Sequence, residues 1–126
     1  PPTWPMRELD AYAQKVIRAR RRGAVYPYEL VPMLLRNPDP GGAQGVFTEY
    51  DLDDAGHPVV VERAPGGNTA NLVLGTVTTP TVRYPEGMTR VVLIGDPTKA
   101  LGALAEPECR RVLAAIELAR RLDAPI

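Results

Sequence analysis

The amino-acid sequence predicts an α/β fold in which helices at both ends of the chain enclose a β-rich middle. Near the amino terminus, apolar residues recur at i, i+3, i+4, i+7 and i+8, the spacing of an amphipathic helix. Residues 89–96 ("TRVVLIGD") form a continuous apolar run, the pattern of a strand buried on both faces. Residues 106–123 return to helical spacing, so a helix follows the predicted buried strand.

The composition is typical of a soluble globular protein. The 126 residues suffice for one domain, with 44% apolar and 24% charged residues. Fifteen basic residues balance fifteen acidic ones, so the net charge points to no polyanionic partner. A single cysteine, Cys109, excludes an internal disulfide and fits a reducing compartment. No apolar run approaches the roughly 18–20 residues of a membrane span, and no signal peptide is visible. We therefore expect a cytoplasmic protein with no membrane and no nucleic-acid partner.

The first predicted element is a helix that ends at Gly23. Its apolar stripe consists of Leu9, Tyr12, Ala13, Val16 and Ile17. Gly23 suits the position after a helix end, and the preceding arginines, residues 20–22, suit the negative end of the helix dipole. Residues 24–35 ("AVYPYELVPMLL") contain two prolines, which predict a short extended piece followed by a single helical turn.

A β-hairpin is predicted next. Residues 36–45 ("RNPDPGGAQG") have the composition of a surface loop. Residues 46–53 alternate in polarity like a strand, residues 54–57 ("DAGH") form a turn, and residues 58–64 form the partner strand. We expect this hairpin to lie at an edge of the fold or to act as a lid.

Two further strands follow. Residues 65–68 ("PGGN") predict a turn, and residues 69–79 are β-rich. Gly75 interrupts this strand and indicates a bulge or a close approach of another group to the backbone. Residues 83–88 ("RYPEGM") turn the chain into the apolar run 89–96.

The last helix, residues 106–123, is predicted to bury one apolar stripe. The stripe consists of Val112, Ala115, Ile116, Ala119 and Leu122. A helix that leaves a buried strand normally crosses over to a parallel neighbouring strand. Residues 124–126 ("API") have the character of that strand's start, so we expect residues 1–126 to be the front part of a longer polypeptide.

The order of these motifs resembles a known family. Residues 59–108, from "VVVERAPGGNTANLVLGTVTT" through "YPEGMTRVVLIGDPTKALGALAEPE", resemble the front half of the carboxyltransferase domain of biotin-dependent acyl-CoA carboxylases. The likeness is strongest to the large multidomain acetyl-CoA carboxylases. Residues 24–34 ("AVYPYELVPML") also look like the entry segment of that domain. The resemblance covers roughly residues 9–126.

The resemblance implies a fold and an activity. The family has the ClpP/crotonase fold, a superhelix of ββα units, of which this chain would be an incomplete N-terminal fragment. Residues 1–23 would be an N-terminal helix and linker, and residues 24–126 the front part of the carboxyltransferase domain. Such domains work as dimers and transfer the carboxyl group of carboxybiotin, held on a carrier domain, to an acyl-CoA. They stabilise the thioester enolate with backbone N–H groups in an oxyanion hole.

The resemblance also implies a CoA-binding face on the loop after the apolar strand. The residues concerned are Thr98, Lys99, Gly102, Ala103 and Leu104. Small residues in such a loop let a ligand approach the backbone closely. Many relatives have a Gly-Gly-Ser-like run here, whereas "ALGALAE" contains one glycine. The family's Ser-Gly-Ala turn, which carries the enolate-binding donor, would follow residue 126, so we expect the 126 residues alone to be inactive. The biotinylation signature is absent, so this segment is not the carrier.

Two other function classes stay open. A crotonase-like hydratase, isomerase or decarboxylase would also act on acyl-CoA, but it would need a positioned Glu or Asp, and none is obvious. A non-catalytic interaction module would use the uncovered sheet edge and the arginine-rich first helix to dock a partner.

The remaining reactive residue types have simpler interpretations. His57 lies in a turn without a second histidine, so we expect an exposed side chain rather than a metal ligand. Cys109 lacks a partner histidine in a nucleophile motif, and we expect an inert thiol. Either Thr98 or Asp96 is expected to cap the turn that follows Asp96, and Asp96 is not expected to act as a general base. Residues 18–22 ("RARRR") lack interleaved aromatic residues, which favours a solvated helix end or a contact with another domain over nucleic-acid binding.

Overall fold

The computed structural model describes residues 10–98 and 105–126. In this part of the chain it has mixed helices and strands, as the sequence predicts. The elements are α1 (Ala11–Arg21), α2 (Pro27–Leu34), β1 (Val46–Leu52), β2 (Pro58–Val60), β3 (Leu72–Thr79), β4 (Met88–Gly95) and α3 (Glu106–Leu122). The four strands form one sheet in the order β2-β1-β3-β4, and every neighbouring pair is antiparallel.

The sheet is covered on both faces, and β3 contributes to both cores. Successive side chains of a strand point to opposite faces. Leu74 packs with Ala115 and Leu118 of α3, whereas its neighbour Val73 packs with Ala19 of α1 and with Tyr26. Because β3 also pairs with β1 and β4 along its two edges, it is the central element of the fold.

Helix α1 forms where it was predicted, while Leu9, the first residue of the predicted stripe, lies outside the described residues. The side chain of Asp10 caps its start by accepting a hydrogen bond from the N–H of Ala13 at 2.7 Å. Gly23 follows the helix with a φ of 73°, the left-handed conformation that glycine adopts without strain. The predicted helix end is therefore confirmed.

Helix α2 is longer than predicted. The expected single turn is an eight-residue helix, and its two prolines do not break it. Pro27 occupies a position in the first turn, where no N–H is needed for an intrahelical bond. Pro32 lies inside the helix and removes one donor. Tyr26 and Tyr28 are buried and hold the start of the helix against the sheet.

The buried face of α3 differs from the predicted stripe. Ala115 and Ala119 are buried as predicted, but Ile116 and Leu122 are 39% and 42% exposed. Ala114 and Leu118 take their place in the core. Three alanines on the contact face let the helix lie close to the sheet. The spacing predicted the right helix, but the buried face is rotated toward Ala114 and Leu118.

Strand β4 lies at an edge of the sheet and is only partly buried, although the sequence predicted burial of both faces. Val91 and Ile94 are buried, whereas most of its other residues are half-buried. Its outer edge forms a hydrogen bond with the chain after α3: the N–H of Val91 donates to the carbonyl of Pro125 at 2.8 Å. Residues 124–126 thus lie beside β4, where the next strand was expected, although they are not assigned as a strand.

The predicted hairpin is confirmed, with a shorter second strand. The N–H of Asp53 donates to the carbonyl of His57, and Gly56 has a φ of 85°. His57 Nδ1 lies 3.0 Å from Glu117 of α3, and this contact raises the pKa of the largely exposed imidazole. The hairpin is therefore tied to α3.

Gly75 shows the predicted close approach. A Cβ atom at this position would lie 2.4 Å from Cε2 of Phe47 and 2.8 Å from the carbonyl oxygen of Thr48. Both groups belong to β1, which pairs with β3 at this point. The absence of a side chain on Gly75 lets the Phe47 ring lie across β3.

We expect Gly75→Ala to lower the free energy of unfolding by about 1–3 kcal/mol, because the new methyl group would force the Phe47 ring or the strand to move. Gly95→Ala is the matched control, since nothing lies within 4 Å of its Cβ position. Urea denaturation measures both. Equal stabilities of the two variants would contradict the close approach.

Candidate functional site

The predicted CoA-binding loop begins within the described structure. Thr98 lies in the turn after β4, while Lys99, Gly102, Ala103 and Leu104 lie outside the described residues. The loop's surroundings are defined by the residues that precede it, Asp96–Thr98, and by Ala105 at the start of α3.

Asp96 holds the first end of the loop. Its side chain is fully buried. One carboxylate oxygen accepts hydrogen bonds from the Thr98 N–H at 2.9 Å and the Thr98 hydroxyl at 2.5 Å, and the other accepts from Asn68 Nδ2 at 2.8 Å. Three donors offset the cost of burying this carboxylate. Asp96 is therefore the capping group of this turn and Thr98 is the donor, which is one of the two expected arrangements.

Glu108 holds the other end. Its carboxylate accepts hydrogen bonds from the N–H of Asn71 at 3.0 Å and from the N–H of Ala105 at 2.9 Å. These two donors, Asn71 first, hold the pKa of Glu108 below its ordinary value. The first turn of α3 is also where the helix dipole favours a negative charge.

Both ends are fastened to the segment Asn68–Asn71, which we call the anchor segment. Asn68 donates to Asp96, and the backbone N–H of Asn71 donates to Glu108. The N–H of Asp96 in turn donates to the carbonyl of Asn71 at 2.6 Å. The anchor segment leads into β3, so the frame of the predicted loop is connected directly to the central strand.

Sequence reasoning missed the anchor segment. It interpreted residues 65–68 as a plain turn and gave Asn71 no role. The signal in the sequence was Asn68, because asparagine side chains commonly satisfy polar groups at turns. Asn71 donates to Glu108 through its backbone N–H, which its residue type does not indicate. Their partners lie 28 and 37 residues away in sequence, and local patterns do not identify them.

The start of α3 offers a ligand few free donors. Pro107 in its first turn has no N–H, and the N–H of Ala105 is already bonded to Glu108. Neither Ala105 nor Pro107 therefore offers a free N–H group to a ligand at this helix end.

A tyrosine cluster lies on the α1 side of the sheet. The ring of Tyr26 contacts that of Tyr12 edge to face, with centroids 5.5 Å apart. Burial, together with the carboxylates of Asp96 and Glu49, raises the pKa of Tyr26 to about 12. Its hydroxyl lies next to Gly66, whose carbonyl accepts a hydrogen bond from Lys15 Nζ at 2.7 Å. Tyr26 is thus neutral at physiological pH and is no candidate base.

A second group of charges is fully engaged in structural contacts. Arg63 pairs with Glu49 and with Asp51, the latter at 2.9 Å. Asp51 also pairs with Arg111 of α3 at 2.8 Å, and the Tyr28 hydroxyl donates to Glu49 at 2.6 Å. These contacts join α2, β1 and α3, and they leave neither carboxylate free for proton transfer.

The other residue types weighed from the sequence lie apart from this frame or show no reactive environment. His57 is exposed on the hairpin, and Cys109 is an exposed free thiol. Within residues 10–98 and 105–126, no cluster of three or more His, Cys, Asp or Glu side chains could hold a metal ion. None of the helices in that part of the chain is long and apolar enough to cross a membrane.

An open groove lies beside the point where the chain enters α3. Its volume is about 720 Å³, and it runs between the hairpin turn, residues 53–56, and the first turns of α3. Glu106 and Arg110 line it and pair with each other at 2.7 Å. The lining thus has charges of both signs and shows no preference for an anionic or a cationic ligand.

Comparison with known proteins shows a similarity to an acetyl-CoA carboxylase over part of the chain. No protein-family model matches the chain. The chain is similar to acetyl-CoA carboxylase dmxL1 of Cryptosporiopsis sp. (strain 8999), with 37% identity over 79 residues. The alignment covers 63% of this chain and 3% of the length of that protein. The chain therefore spans a small part of its relative. The identity supports a relation to acetyl-CoA carboxylases over the aligned residues.

We expect Asp96→Asn to lower the free energy of unfolding by about 1–3 kcal/mol. Both oxygens of Asp96 accept hydrogen bonds, so the NH₂ group that replaces one of them would face another donor. The Thr98 amide should also exchange its hydrogen faster. Asp54→Asn is the control, since Asp54 is exposed in the hairpin turn. If urea denaturation and hydrogen exchange gave the same result for both variants, Asp96 would not hold the loop.

Proposed function

We propose that this chain is part of the carboxyltransferase of a biotin-dependent acyl-CoA carboxylase, which transfers a carboxyl group from carboxybiotin to an acyl-CoA. The observation that carries the proposal is the 37% identity to a protein named acetyl-CoA carboxylase. The order of motifs in residues 59–108, which resembles that domain, also supports it.

The proposed domain is the front part of a ClpP/crotonase-like superhelix, formed by residues 24–126 after an N-terminal helix and linker, residues 1–23. The succession of β3, β4 and α3 supports this proposal, because two antiparallel strands are followed by a helix that packs on their sheet. The position of Pro125 beside β4 is where a further strand of such a repeat would begin. A partner subunit and a biotin carboxyl carrier domain would complete the site.

In this proposal the loop after β4 forms the CoA face, with Thr98, Lys99, Gly102, Ala103 and Leu104 as its residues. The frame supports such a role because Asp96 and Glu108 fix the loop's two ends to the anchor segment. Biotin supplies the transferable carboxyl group when its carrier is bound. The chain's own contribution is to hold backbone groups at fixed positions against the acyl-CoA.

A crotonase-like hydratase or isomerase is less well supported. Such an enzyme needs a carboxylate that exchanges a proton with the substrate. Asp96 and Glu108, the carboxylates at the two ends of the loop, already accept three and two hydrogen bonds. This arrangement favours a reaction in which the side chains of this segment position the substrate without exchanging its protons.

The proposal predicts carboxyl transfer by the native polypeptide that contains this segment. It would be supplied with a carboxylated biotin carrier and with acetyl-, propionyl- or long-chain acyl-CoA, and the carboxylated thioester would be measured. Asp96→Asn should reduce kcat/KM by about tenfold or more because it loosens the loop. Asp54→Asn should leave it unchanged.

Failure to carboxylate any of the three acyl-CoA substrates would contradict the proposed function. Hydration or isomerisation of an enoyl-CoA without a biotin carrier would favour the crotonase-like alternative.

A further inference from the structure

The arginine-rich end of α1 is the strongest charged feature of the described structure that the proposed reaction does not use. Residues 10–23 contain five basic side chains and one acidic one, although the whole chain has no net charge. The helix dipole accounts for a preference for cations in the last turn. It does not account for several guanidinium groups on the solvent side of one helix.

Three of these arginines share one face of the helix. Arg18, Arg21 and Arg22 stand at i, i+3 and i+4, so their side chains are neighbours on the helix surface. All three are exposed, and no carboxylate pairs with them within residues 10–98 and 105–126. We call these three residues the arginine face.

The arginine face borders a shallow groove. Gln14, Ile17, Arg18 and Arg21 line it, and its volume is about 250 Å³. The polar and cationic side chains lie beside one apolar residue, Ile17. Guanidinium groups suit phosphate because their donors match its oxygens in pairs.

Arg22 connects the arginine face to the proposed CoA loop. Its Nη1 donates to the carbonyl of Pro97 at 2.9 Å, next to Thr98. Lys15 is held elsewhere, on the carbonyl of Gly66. The cationic side of α1 and the start of the loop after β4 therefore form one continuous surface.

This geometry points to a binding site for the phosphate groups of CoA on the arginine face, an inference that rests on the proposed function. The rest of the substrate would extend past Pro97, whose carbonyl Arg22 contacts. The phosphates of the nucleotide end would contact Arg18 and Arg21, with Arg22 joining the two parts of the surface.

The test uses adenosine 3′,5′-bisphosphate, which has phosphates on both sides of the ribose and no acyl chain. Isothermal titration calorimetry would compare the wild-type chain with the double variant Arg18→Glu/Arg21→Glu. We expect the variant's Kd to be at least about tenfold higher, because two phosphate-binding groups become repulsive. Added salt should weaken binding of the bisphosphate to the wild-type chain. Adenosine, which has no phosphate, should bind equally well to the variant and to the wild type.

Arg36→Glu/Arg120→Glu is the matched control. Both residues are exposed, the change in net charge is the same, and Arg120 also lies in the last turn of a helix. An equal rise in the Kd of the bisphosphate in the two double variants would show that only the overall charge matters, and it would overturn the inference. Absence of binding by the wild type, or tighter binding of a single-stranded oligonucleotide than of the bisphosphate, would also overturn it.

The two proposals fail in distinguishable ways. Carboxyl transfer with an unchanged KM for acyl-CoA in Arg18→Glu/Arg21→Glu would refute the arginine face and leave the proposed function intact. Arginine-dependent binding of the bisphosphate without carboxyl transfer by the native polypeptide would refute the proposed function and leave a phosphate-binding site.

Discussion

The satisfaction of two buried carboxylates by the anchor segment is the constraint on which the rest of this structure depends. Asp96 ends the β4 region and Glu108 lies in the first turn of α3, and both would be costly to bury without partners. The side chain of Asn68 donates to Asp96, and the backbone N–H of Asn71 donates to Glu108. The segment that precedes the central strand therefore fixes the end of one strand and the start of one helix at the same time.

This arrangement explains how a segment with little chemistry of its own can still serve a reaction. The described carboxylates near the loop are occupied by hydrogen bonds, and Tyr26 is buried with a raised pKa. The contribution left to these residues is to hold the ends of the loop in fixed positions. In the proposed carboxyltransferase, catalysis depends on backbone groups held against the developing charge of the enolate, and a rigid frame contributes to that requirement.

Local patterns in the sequence predicted the elements whose causes are local. Gly23 ends α1 because the backbone there adopts a positive φ, and the hairpin turn forms around Gly56 for the same reason. Gly75 was a correct prediction of a close approach, although the approaching ring, Phe47, could not be identified. The contact face of α3 was predicted partly wrongly because alanine packing depends on the opposing sheet.

The candidate site was less predictable because its contacts are distant in sequence. The loop after β4 was proposed from a family resemblance, while the residues that frame it emerged from the fold. Asn68 meets Asp96 and Asn71 meets Glu108 after the chain has passed through β3 and β4. No periodicity or spacing in the sequence encodes these pairs.

The most direct test of the account is a titration of the ¹⁵N-labelled chain with CoA, followed by amide chemical shifts. The proposed CoA face predicts that the largest changes occur at Thr98, Ala105 and Asn71. Changes concentrated in the apolar groove lined by Leu30, Met33 and Ile94, or no changes at saturating CoA, would contradict it.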